Sequence, residues 1–390
     1  MYQKNREELA SRLKDHVLVI AAQSALQFSA DIPYPFRQDS NFWYLTGINE
    51  PDLILVIDTS RGESTLLLPS QNDYQLQWDG ENNTIELTQI SGIKKFGAVS
   101  DLEKHLKKAQ KRGLRVGYLA PLPEIVQPYG FYANPARRRV EALIKKVIAD
   151  PVDIRADIAR MRQIKHPEEI ALIKSAIDVT AQALASVNTK LATYTNEKDI
   201  ERALTVEFYE RGSDGHGFEP IIASGKNAAT IHYKKNDDKI YPDSLLLMDI
   251  GAKSGGYSAD ISRVWAVGKI SRRMREVYDT LLDIQTHALH MLEPGITLRD
   301  FQKSVEAYAF KKQAAIGIDH DSYPHGISHF LGFDVHDAGD YEMPLADGMV
   351  LTVEPGIYLP DEGIGVRIED DVLITKSAIK VLSDAIPKTL

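Results

Sequence analysis

The feature that most constrains this chain is a set of four acidic residues that interrupt segments otherwise typical of buried strands. Asp249 follows the apolar run LLLM, and Asp260 lies within SADIS. Glu354 lies within the run TVEPG, and Glu369 lies within RIEDD. A buried carboxylate is unstable unless it is paired with positive charge or bound to a metal ion. The four positions therefore predict strands that meet around one or more cations.

The spacing of the first two acids predicts that they face each other. Asp249 and Asp260 flank the pair Gly255-Gly256, and two glycines between apolar runs are typical of a tight turn that joins adjacent strands. Such a turn would bring the carboxylates together, and like charges at close range need a positive ion between them. One such acid alone would more often be a strand-end residue or an ion-pair partner. When four acids interrupt four strand patterns, metal binding becomes the favoured interpretation.

A run rich in histidine supplies a fifth candidate ligand. The stretch PHGISHFLGFDVHD (324–337) contains His325, His329 and His336. A single histidine here would more often be a core residue than a ligand, but beside four misplaced carboxylates at least one is predicted to bind metal. Carboxylates with imidazole suit Mn²⁺, Co²⁺ or Zn²⁺. Five side chains exceed the needs of one catalytic zinc ion and fit two divalent ions that share carboxylates, as in aminopeptidases.

Composition excludes several other classes of site and partner. The chain has no cysteine, which excludes disulfides, thiolate catalysis and thiolate metal sites. A net charge of −9 argues against nucleic acid and against an anionic membrane as partners. The polar N-terminal run and the lack of a stretch of membrane-spanning character predict no membrane association and a cytoplasmic location.

A chain of 390 residues is long enough for two domains. In the first part, the runs VLVIAA, FWYLTG, LILVID and STLLLP are predicted strands of an α/β domain. Residues 150–168 hold two prolines and dense charge, and they are the predicted boundary between domains of residues 1–155 and 156–390. The strands and helices of the second part predict an α+β fold with curved antiparallel sheet.

The order of the motifs MDIGA, SADISR, HGISH, TVEPG and RIEDD resembles that of the pita-bread metallopeptidases. The resemblance is closest to the branch that contains Xaa-Pro aminopeptidase (aminopeptidase P) and prolidase. The run RQDSNFWYLTGINEPD (37–52) is similar to the N-terminal domain of that aminopeptidase. The resemblance implies a pita-bread catalytic domain, preceded by a smaller creatinase-like α/β domain that takes part in oligomerisation and in the rim of the site.

The resemblance also implies the reaction. This is metal-dependent hydrolysis of the bond between an N-terminal residue and a following proline, by a water that bridges two divalent ions. Mn²⁺ is the expected metal, with Co²⁺ or Zn²⁺ as alternatives. The implied ligands are Asp249 on one ion, His329 and Glu354 on the other, and Asp260 and Glu369 bridging both. Glu354 is also the implied proton shuttle between the water and the proline nitrogen.

Four residues outside the ligand set match the family's substrate-binding positions. The resemblance implies that His232 supports the scissile carbonyl and that His336 contacts the carbonyl on the proline side. His325 and Arg367 would line the pocket for the proline ring. For His232, a histidine on a strand edge with no substrate role is the competing interpretation.

The expected partners are a peptide with proline at its second position and further copies of the chain, in a dimer or tetramer. Trp78 matches an aromatic residue that reaches a neighbouring subunit's site in similar enzymes, and an aromatic partly buried in its own domain is the alternative. The nearest alternative function is an Xaa-Pro dipeptidase with the same site. A non-catalytic pita-bread binding module and a two-metal phosphohydrolase are further alternatives.

Overall fold

The computed structural model describes residues 1–120, 134–319 and 323–390. The described residues divide into two compact units, Met1–Met161 and Arg162–Leu390. The sequence-based boundary at residue 155 coincides with the start of a helix that runs Arg155–Arg162, whereas the division by contacts falls near the end of that helix. Ile158 and Met161 explain the difference, because both pack in the core of the first unit.

The first unit is built around a mixed sheet. Its helices are α1 (Tyr2–Arg12), α2 (Ser40–Thr46), α3 (Asp73–Asp79), α4 (Thr84–Ser91), α5 (Leu102–Lys111), α6 (Pro135–Val147) and α7 (Arg155–Arg162). Its strands are β1 (His16–Ala21), β2 (Gln27–Ser29), β3 (Ile32–Pro33), β4 (Ile54–Asp58), β5 (Glu63–Leu68), β6 (Lys95–Ala98), β7 (Arg115–Tyr118) and β8 (Val152–Asp153). The sheet has the order β6-β5-β4-β1-β7-β8, and β2 pairs with β3 apart from it.

Both faces of β1 are buried, as its continuous apolar run predicts. Leu18 and Ile20 pack on one side with α1, α2 and α7, and Val17 and Val19 pack on the other side with α5 and α6. Two apolar layers on the two faces of one sheet confirm the predicted α/β architecture of this unit.

The prediction of a strand at FWYLTG is wrong, because these residues form most of helix α2. The carboxylate of Asp39 caps the helix by accepting hydrogen bonds from the backbone N–H groups of Asn41 and Phe42. Gly47 ends it with a φ of 71°, a left-handed conformation that glycine adopts without strain. A short apolar run has the same composition in a strand and in a buried helix, so the residues at its two ends decide the outcome.

The second unit contains longer helices and short antiparallel strands. Its helices are α8 (Pro167–Thr189), α9 (Glu197–Glu210), α10 (Arg272–Met291) and α11 (Leu298–Ala315). Its strands are β9 (Gly215–His216), β10 (Ile221–Ser224), β11 (Ser244–Ile250), β12 (Ala252–Ser254), β13 (Tyr257–Ser258), β14 (Ile261–Val267), β15 (Val350–Val353), β16 (Gly356–Leu359), β17 (Ile364–Arg367), β18 (Asp370–Ile374) and β19 (Ile379–Val381). They form the sheets β10-β11-β14, β13-β12-β9, β15-β18-β19 and β16-β17, which confirms the predicted α+β fold.

Strand β11 separates two apolar cores. Leu246 and Met248 pack with helices α8 and α9, whereas Leu245 and Leu247 pack with α10 and α11. Because side chains alternate along a strand, Asp249 continues the second row. The carboxylate of Asp249 therefore lies at the end of an apolar layer.

The tight turn predicted between Asp249 and Asp260 is confirmed. Gly255 and Gly256 join β12 to β13 with φ values of 52° and 86°, and two residues with positive φ match the twist of hairpin strands. Strands β11 and β14 pair antiparallel with Asp249 opposite Ser262. Asp260 directly precedes β14, so both acids lie at the same end of this strand pair.

Helix α8 is long and apolar enough to cross a membrane by length and composition alone. This differs from the prediction that the chain contains no stretch of membrane-spanning character. Its residues Val179, Ala183 and Leu184 are buried in a core that includes α9 and β11. Core helices of soluble proteins can have the same length and apolar composition, so one such helix is weak support for a membrane span.

Trp78 lies in helix α3, and its side chain is 70% exposed. Its ring lies 5.5 Å from the ring of Tyr74. The interpretation of Trp78 as a partly buried aromatic is therefore wrong, and its contact with a neighbouring subunit stays a prediction.

Candidate metal centre

The four acids predicted to bind metal come from the ends of neighbouring strands in the second unit. Asp249 lies within β11, and Asp260 directly precedes β14. Glu354 follows β15, and Glu369 lies between β17 and β18. The backbone N–H of Glu369 donates to the carbonyl of Ser262 at 3.2 Å. This bond joins the C-terminal strands to β14 and brings acids from distant parts of the chain together.

His329 completes a close group of ligand atoms. Those of Asp260, His329 and Glu369 all lie within 4.8 Å of one another. Nε2 of His329 is 3.3 Å from Oε1 of Glu354 and 3.5 Å from Oδ2 of Asp260. Nδ1 of His329 lies 3.0 Å from the carbonyl oxygen of Phe330. If Nδ1 carries the proton and donates it there, the lone pair of Nε2 faces the acids and is available to a metal.

Burial shifts the pKa values of these groups towards their neutral forms. Burial first, and the charge of Glu369 second, raise the pKa of Asp260 well above its usual range. Burial and then the charge of Glu354 raise the pKa of Glu369 in the same direction. Burial also raises the pKa of Glu354 to about 8 and lowers the pKa of His329 to about 3. A bound cation reverses shifts of this kind in acids.

Three carboxylate oxygen atoms near this group are buried and accept no hydrogen bond from the described residues. They are Oδ1 of Asp249, Oε1 of Glu369 and Oδ1 of Asp371. Buried polar atoms without partners are destabilising, and divalent cations prefer oxygen and imidazole ligands of this type. The donor set therefore fits a divalent metal ion.

Arg367, which is buried on β17, contacts the other side of the acid group. Its guanidinium donates to Oδ2 of Asp249 at 2.5 Å, to Oγ of Ser262 at 2.8 Å and to the hydroxyl of Tyr358 at 2.7 Å. Ser262 in turn donates to Oε2 of Glu369 at 2.7 Å. One oxygen of Asp249 is thus engaged by Arg367. Asp249 and Glu354 are the predicted ligands outside the close group, and Glu354 lies beside it, 3.3 Å from His329.

The pocket residues His325 and Arg367 meet through one tyrosine. Nε2 of His325 lies 2.9 Å from the hydroxyl of Tyr358, which also accepts from Arg367. Burial lowers the pKa of His325 to about 4, so the ring is neutral near pH 7. The structure therefore brings together two of the four predicted substrate-binding residues in one hydrogen-bonded chain.

The other two predicted substrate-binding histidines are exposed. The rings of His336 and His329 are 4.5 Å apart and meet edge to face. Partial burial lowers the pKa of His232 and of His336. The charge of Arg367 lowers the pKa of His232 further, and the proximity of His232 does so for His336. Neutral, exposed imidazoles beside a buried acid group are accessible to a ligand.

A buried ion cluster supports the loop that carries His336. Lys165 and Arg162 both contact the carboxylate of Asp337, with Nζ of Lys165 at 3.1 Å. Arg162 also contacts Asp334 at 2.8 Å. The charges of Arg162 and Lys165 outweigh burial and lower the pKa of Asp337, so this carboxylate stays charged inside the unit.

Sequence reasoning missed two residues of the site. Asp371 accepts the backbone N–H of Asp260 at 3.1 Å, and burial raises its pKa well above the usual range. Asp371 could have been identified from the sequence, since it is the last acid of the motif RIEDD. Tyr358 links His325 to Arg367, and burial raises its pKa to about 12. Nothing in its strand pattern, GIYL, distinguishes it from an ordinary core aromatic.

Comparison with known proteins gives matches along both units. A model described as metallopeptidase family M24 matches residues 171–376, and one described as aminopeptidase P, N-terminal domain, matches residues 2–116. The chain is 32% identical to the Xaa-Pro aminopeptidase of Escherichia coli (strain K12), over 99% of this chain and 95% of that protein. It is 31% identical to Xaa-Pro aminopeptidase 3 of Mus musculus, over 96% of this chain and 79% of that protein.

A solved structure of zinc-substituted E. coli aminopeptidase P in complex with product has a TM-score of 0.85 and 29% sequence identity to this chain. The match covers 100% of this chain and 95% of the other.

Proposed function

The chain belongs to metallopeptidase family M24, in the aminopeptidase P branch, and on this basis we propose that it releases an N-terminal residue that precedes proline. It has the pita-bread catalytic domain and the N-terminal domain of that branch, and it is a metallo-aminopeptidase. The dipeptidase and binding-module alternatives are not favoured by the relatives it matches.

The observation that carries this proposal is the group of ligand atoms from Asp260, His329 and Glu369 within 4.8 Å. Glu354 lies beside that group, 3.3 Å from His329. Buried acids at this density destabilise a fold unless they bind cations. A site of this composition therefore supports a hydrolase that uses divalent metal.

The proposed ligand assignment follows the motifs. Asp249 would hold one ion, His329 and Glu354 the other, and Asp260 with Glu369 would bridge them. Asp249 can take this role through Oδ1, which accepts no hydrogen bond from the described part of the chain, while Oδ2 keeps its contact with Arg367. Two divalent ions bound there would supply the positive charge that acidifies water and polarises the scissile carbonyl.

Glu354 is the proposed proton shuttle. Its side chain is 15% exposed and accepts a hydrogen bond from Thr352, so part of it can reach a bound substrate. It would take a proton from the attacking water and deliver it to the proline nitrogen as the peptide bond breaks. The leaving nitrogen of a peptide bond must gain a proton as the bond breaks, and at proline this nitrogen carries no N–H beforehand.

The proposed substrate contacts lie around the acid group. His232 would donate a hydrogen bond to the scissile carbonyl, and His336 to the carbonyl on the proline side. His325 and Arg367 would line the pocket for the proline ring. A pocket shaped for the ring discriminates against residues that lack it.

The identity of the metal, the oligomeric state and the cellular location are also proposed. Mn²⁺ is the proposed metal, because an oxygen-rich set with one imidazole suits it, and Co²⁺ and Zn²⁺ are the alternatives. The protein is proposed to form a dimer or tetramer, which exposed Trp78 supports and light scattering of the purified protein would test. A cytoplasmic location stays a prediction.

The test is metal-dependent peptide cleavage. Protein stripped with a chelator and reloaded with Mn²⁺, Co²⁺ or Zn²⁺ is given Xaa-Pro-Yaa tripeptides, Xaa-Pro dipeptides and proline-free tripeptides. We expect release of the first residue from the Xaa-Pro-Yaa peptides, restored by metal. Cleavage confined to dipeptides would move the assignment to a dipeptidase. No cleavage of any peptide with any of the three metals would refute the proposed activity.

A further inference from the structure

The segment that carries His232 is held mainly by side chains. We define the His232 segment as residues 225–241, which form most of the connection between β10 and β11. Near its end, backbone bonds tie Asp238 and Ile240 to residues 195–197. Around His232 itself, Asn236 bonds to Ile222, Glu201 and Pro220. Four further donors meet at one carboxylate on helix α9, Glu197.

Glu197 is fully buried and accepts four hydrogen bonds. Oε1 accepts from the backbone N–H of Ser224 at 2.8 Å and from the side-chain amide of Asn227 at 2.9 Å. Oε2 accepts from the hydroxyl of Tyr233 at 2.8 Å and from the backbone N–H of Asp238 at 3.0 Å. Its exposed fraction is 0%. These four donors span the His232 segment from just before its first residue almost to its end.

The charge of Glu197 is balanced by these donors without a cation. The structure records no ion pair of Glu197 with any lysine, arginine or histidine of the described residues. Four hydrogen bonds satisfy both oxygens of this buried carboxylate. Glutamine cannot replace it without loss, because its NH₂ group would face two donors instead of accepting from them.

Tyr233 connects this carboxylate to His232. The two residues are neighbours in the chain, and Tyr233 is drawn inward by Glu197 while His232 is exposed. Burial, with the hydrogen bond to Glu197, raises the pKa of Tyr233 above its usual range, so it stays a donor. The inward anchor at Tyr233 fixes the backbone from which the imidazole of His232 projects.

We propose that Glu197 is a positioning residue for His232, acting through Tyr233 and the backbone of residues 225–241. This inference rests on the proposed function, because His232 matters as a contact to the scissile carbonyl. Misplacing a substrate-binding group by about 1 Å can cost on the order of a hundredfold in rate. A residue that sets the position of His232 therefore controls catalysis without touching the substrate.

The experiment is a double-mutant cycle measured as kcat/KM on an Xaa-Pro-Yaa peptide with Mn²⁺. Glu197→Gln is made in the natural chain and in a His232→Ala background. We expect a fall of about tenfold or more in the natural chain and less than about twofold in the His232→Ala background. Equal falls in the two backgrounds would overturn the proposal, because a general loss of structure acts with or without His232.

Two further variants sharpen the cycle. Tyr233→Phe removes one of the four hydrogen bonds and should give a smaller fall with the same dependence on His232, which keeps the test open if Glu197→Gln does not fold. Glu207→Gln is the matched control, since Glu207 lies on the same helix and contacts Ser186 and Arg211 instead of the His232 segment. It should leave kcat/KM within about twofold in both backgrounds.

Hydrogen exchange separates this inference from the proposed function. Glu197→Gln should speed amide exchange in peptides that cover residues 225–241, relative to the natural protein and to Glu207→Gln. If the natural protein cuts no peptide, the proposed function fails, and exchange alone then decides the role of Glu197. Unchanged exchange in 225–241 would overturn the positioning role in either case.

Discussion

Glu354 differs from the other acids of the metal centre in its surroundings. Asp260 and Glu369 are buried, whereas Glu354 keeps a partly exposed side chain next to His329. Burial raises its pKa to about 8 in the absence of a cation, and the charge of Arg367 acts in the opposite direction. A group at such a position can exchange protons with a substrate as well as bind a metal.

Replacement of Glu354 should therefore remove the proton transfer. We expect Glu354→Gln to lower kcat on an Xaa-Pro-Yaa peptide by about 10²–10⁴-fold with saturating Mn²⁺, the usual contribution of general acid–base catalysis. Glu362→Gln is the matched control, because Glu362 pairs with Arg273 outside the metal centre. A loss of less than tenfold for Glu354→Gln would contradict the assignment.

His216 is a partly buried histidine that is not among the proposed metal ligands. Its Nε2 lies 2.8 Å from the hydroxyl of Thr205, and its ring packs 4.8 Å from that of Phe208. Its Nδ1 has no hydrogen-bond partner among the residues that the structure describes. Burial lowers the pKa of His216, and the charge of Glu201 opposes this shift. The folded protein therefore binds a proton at His216 less readily than the unfolded chain does.

This shift gives a direction for the pH dependence of stability. Above about pH 6.5, His216 is neutral in both states and has no effect. Below that pH the unfolded chain takes up a proton first, so the free energy of unfolding falls by up to about 1.4 kcal/mol per pH unit from this residue. His216→Gln should reduce the loss of stability between pH 7.5 and 5.5, measured by urea unfolding. The control is His290→Gln, at an exposed position; equal losses in the two variants would refute the effect.

At the scale of elements, Gly251 determines how closely the backbone that follows Asp249 can approach the backbone that precedes Asp260. A Cβ atom at Gly251 would lie 1.7 Å from the carbonyl oxygen of Ala259. Backbone atoms cannot move aside as the end of a side chain can. The close approach of these backbones therefore requires glycine.

Gly251→Ala should accordingly weaken both the fold and the metal site. We expect the free energy of unfolding to fall by about 3 kcal/mol or more, as overpacking at backbone does, and Mn²⁺ affinity to fall at least tenfold. Gly326→Ala is the control, because a Cβ there meets only the carbonyl oxygen of Ser328 at 3.8 Å. Unfolding in urea and isothermal titration with Mn²⁺ measure the two effects. Equal stability and affinity for the two variants would contradict the steric argument.

Some features of these elements could be predicted from the sequence, and others could not. The acids were visible because each replaces an apolar residue in a strand, and the turn at Gly255-Gly256 was visible because positive φ favours glycine. Helix α2 was missed because its apolar run suits either structure and its cap depends on Asp39. Glu197 was missed for a different reason. A glutamate at the start of a helix is typical of an exposed dipole partner, and only the packing of residues 225–241 buries it.

For the molecule as a whole, every proposed metal ligand lies in the second unit, Arg162–Leu390. That unit also contains Asp260, Glu354 and Glu369, whose pKa values burial raises. Its stability should therefore depend on metal, whereas the first unit has its own apolar cores and no proposed ligand.

Metal removal tests this division. A metal concentration one hundred times the dissociation constant adds about 2.7 kcal/mol to the free energy of unfolding, or roughly 5–10 °C in Tm for a unit of this size. Chelation should lower Tm by that amount, and hydrogen exchange should report the loss of protection in residues 162–390. Loss of protection confined to residues 1–161 would contradict the assignment.

Asp260→Asn supplies the matching variant. It removes a ligand and also an acid whose pKa burial raises, so the two effects on stability have opposite signs. We expect the metal-free variant to be at least as stable as the metal-free natural protein, because a neutral amide avoids the stability that a buried carboxyl with a raised pKa loses near pH 7. Its Tm should no longer rise with Mn²⁺. A Tm rise equal to that of the natural protein would show that Asp260 is not a ligand.

The hairpin between Asp249 and Asp260 has a consequence for how this chain can change in length. Side chains alternate faces along a strand, so a shift of β11 against β14 by one residue would turn one of the two carboxylates to the opposite face. A change in length within β11 or β14 is therefore incompatible with the site, and natural or engineered variants of this enzyme can change in length only where the register of these two strands is kept.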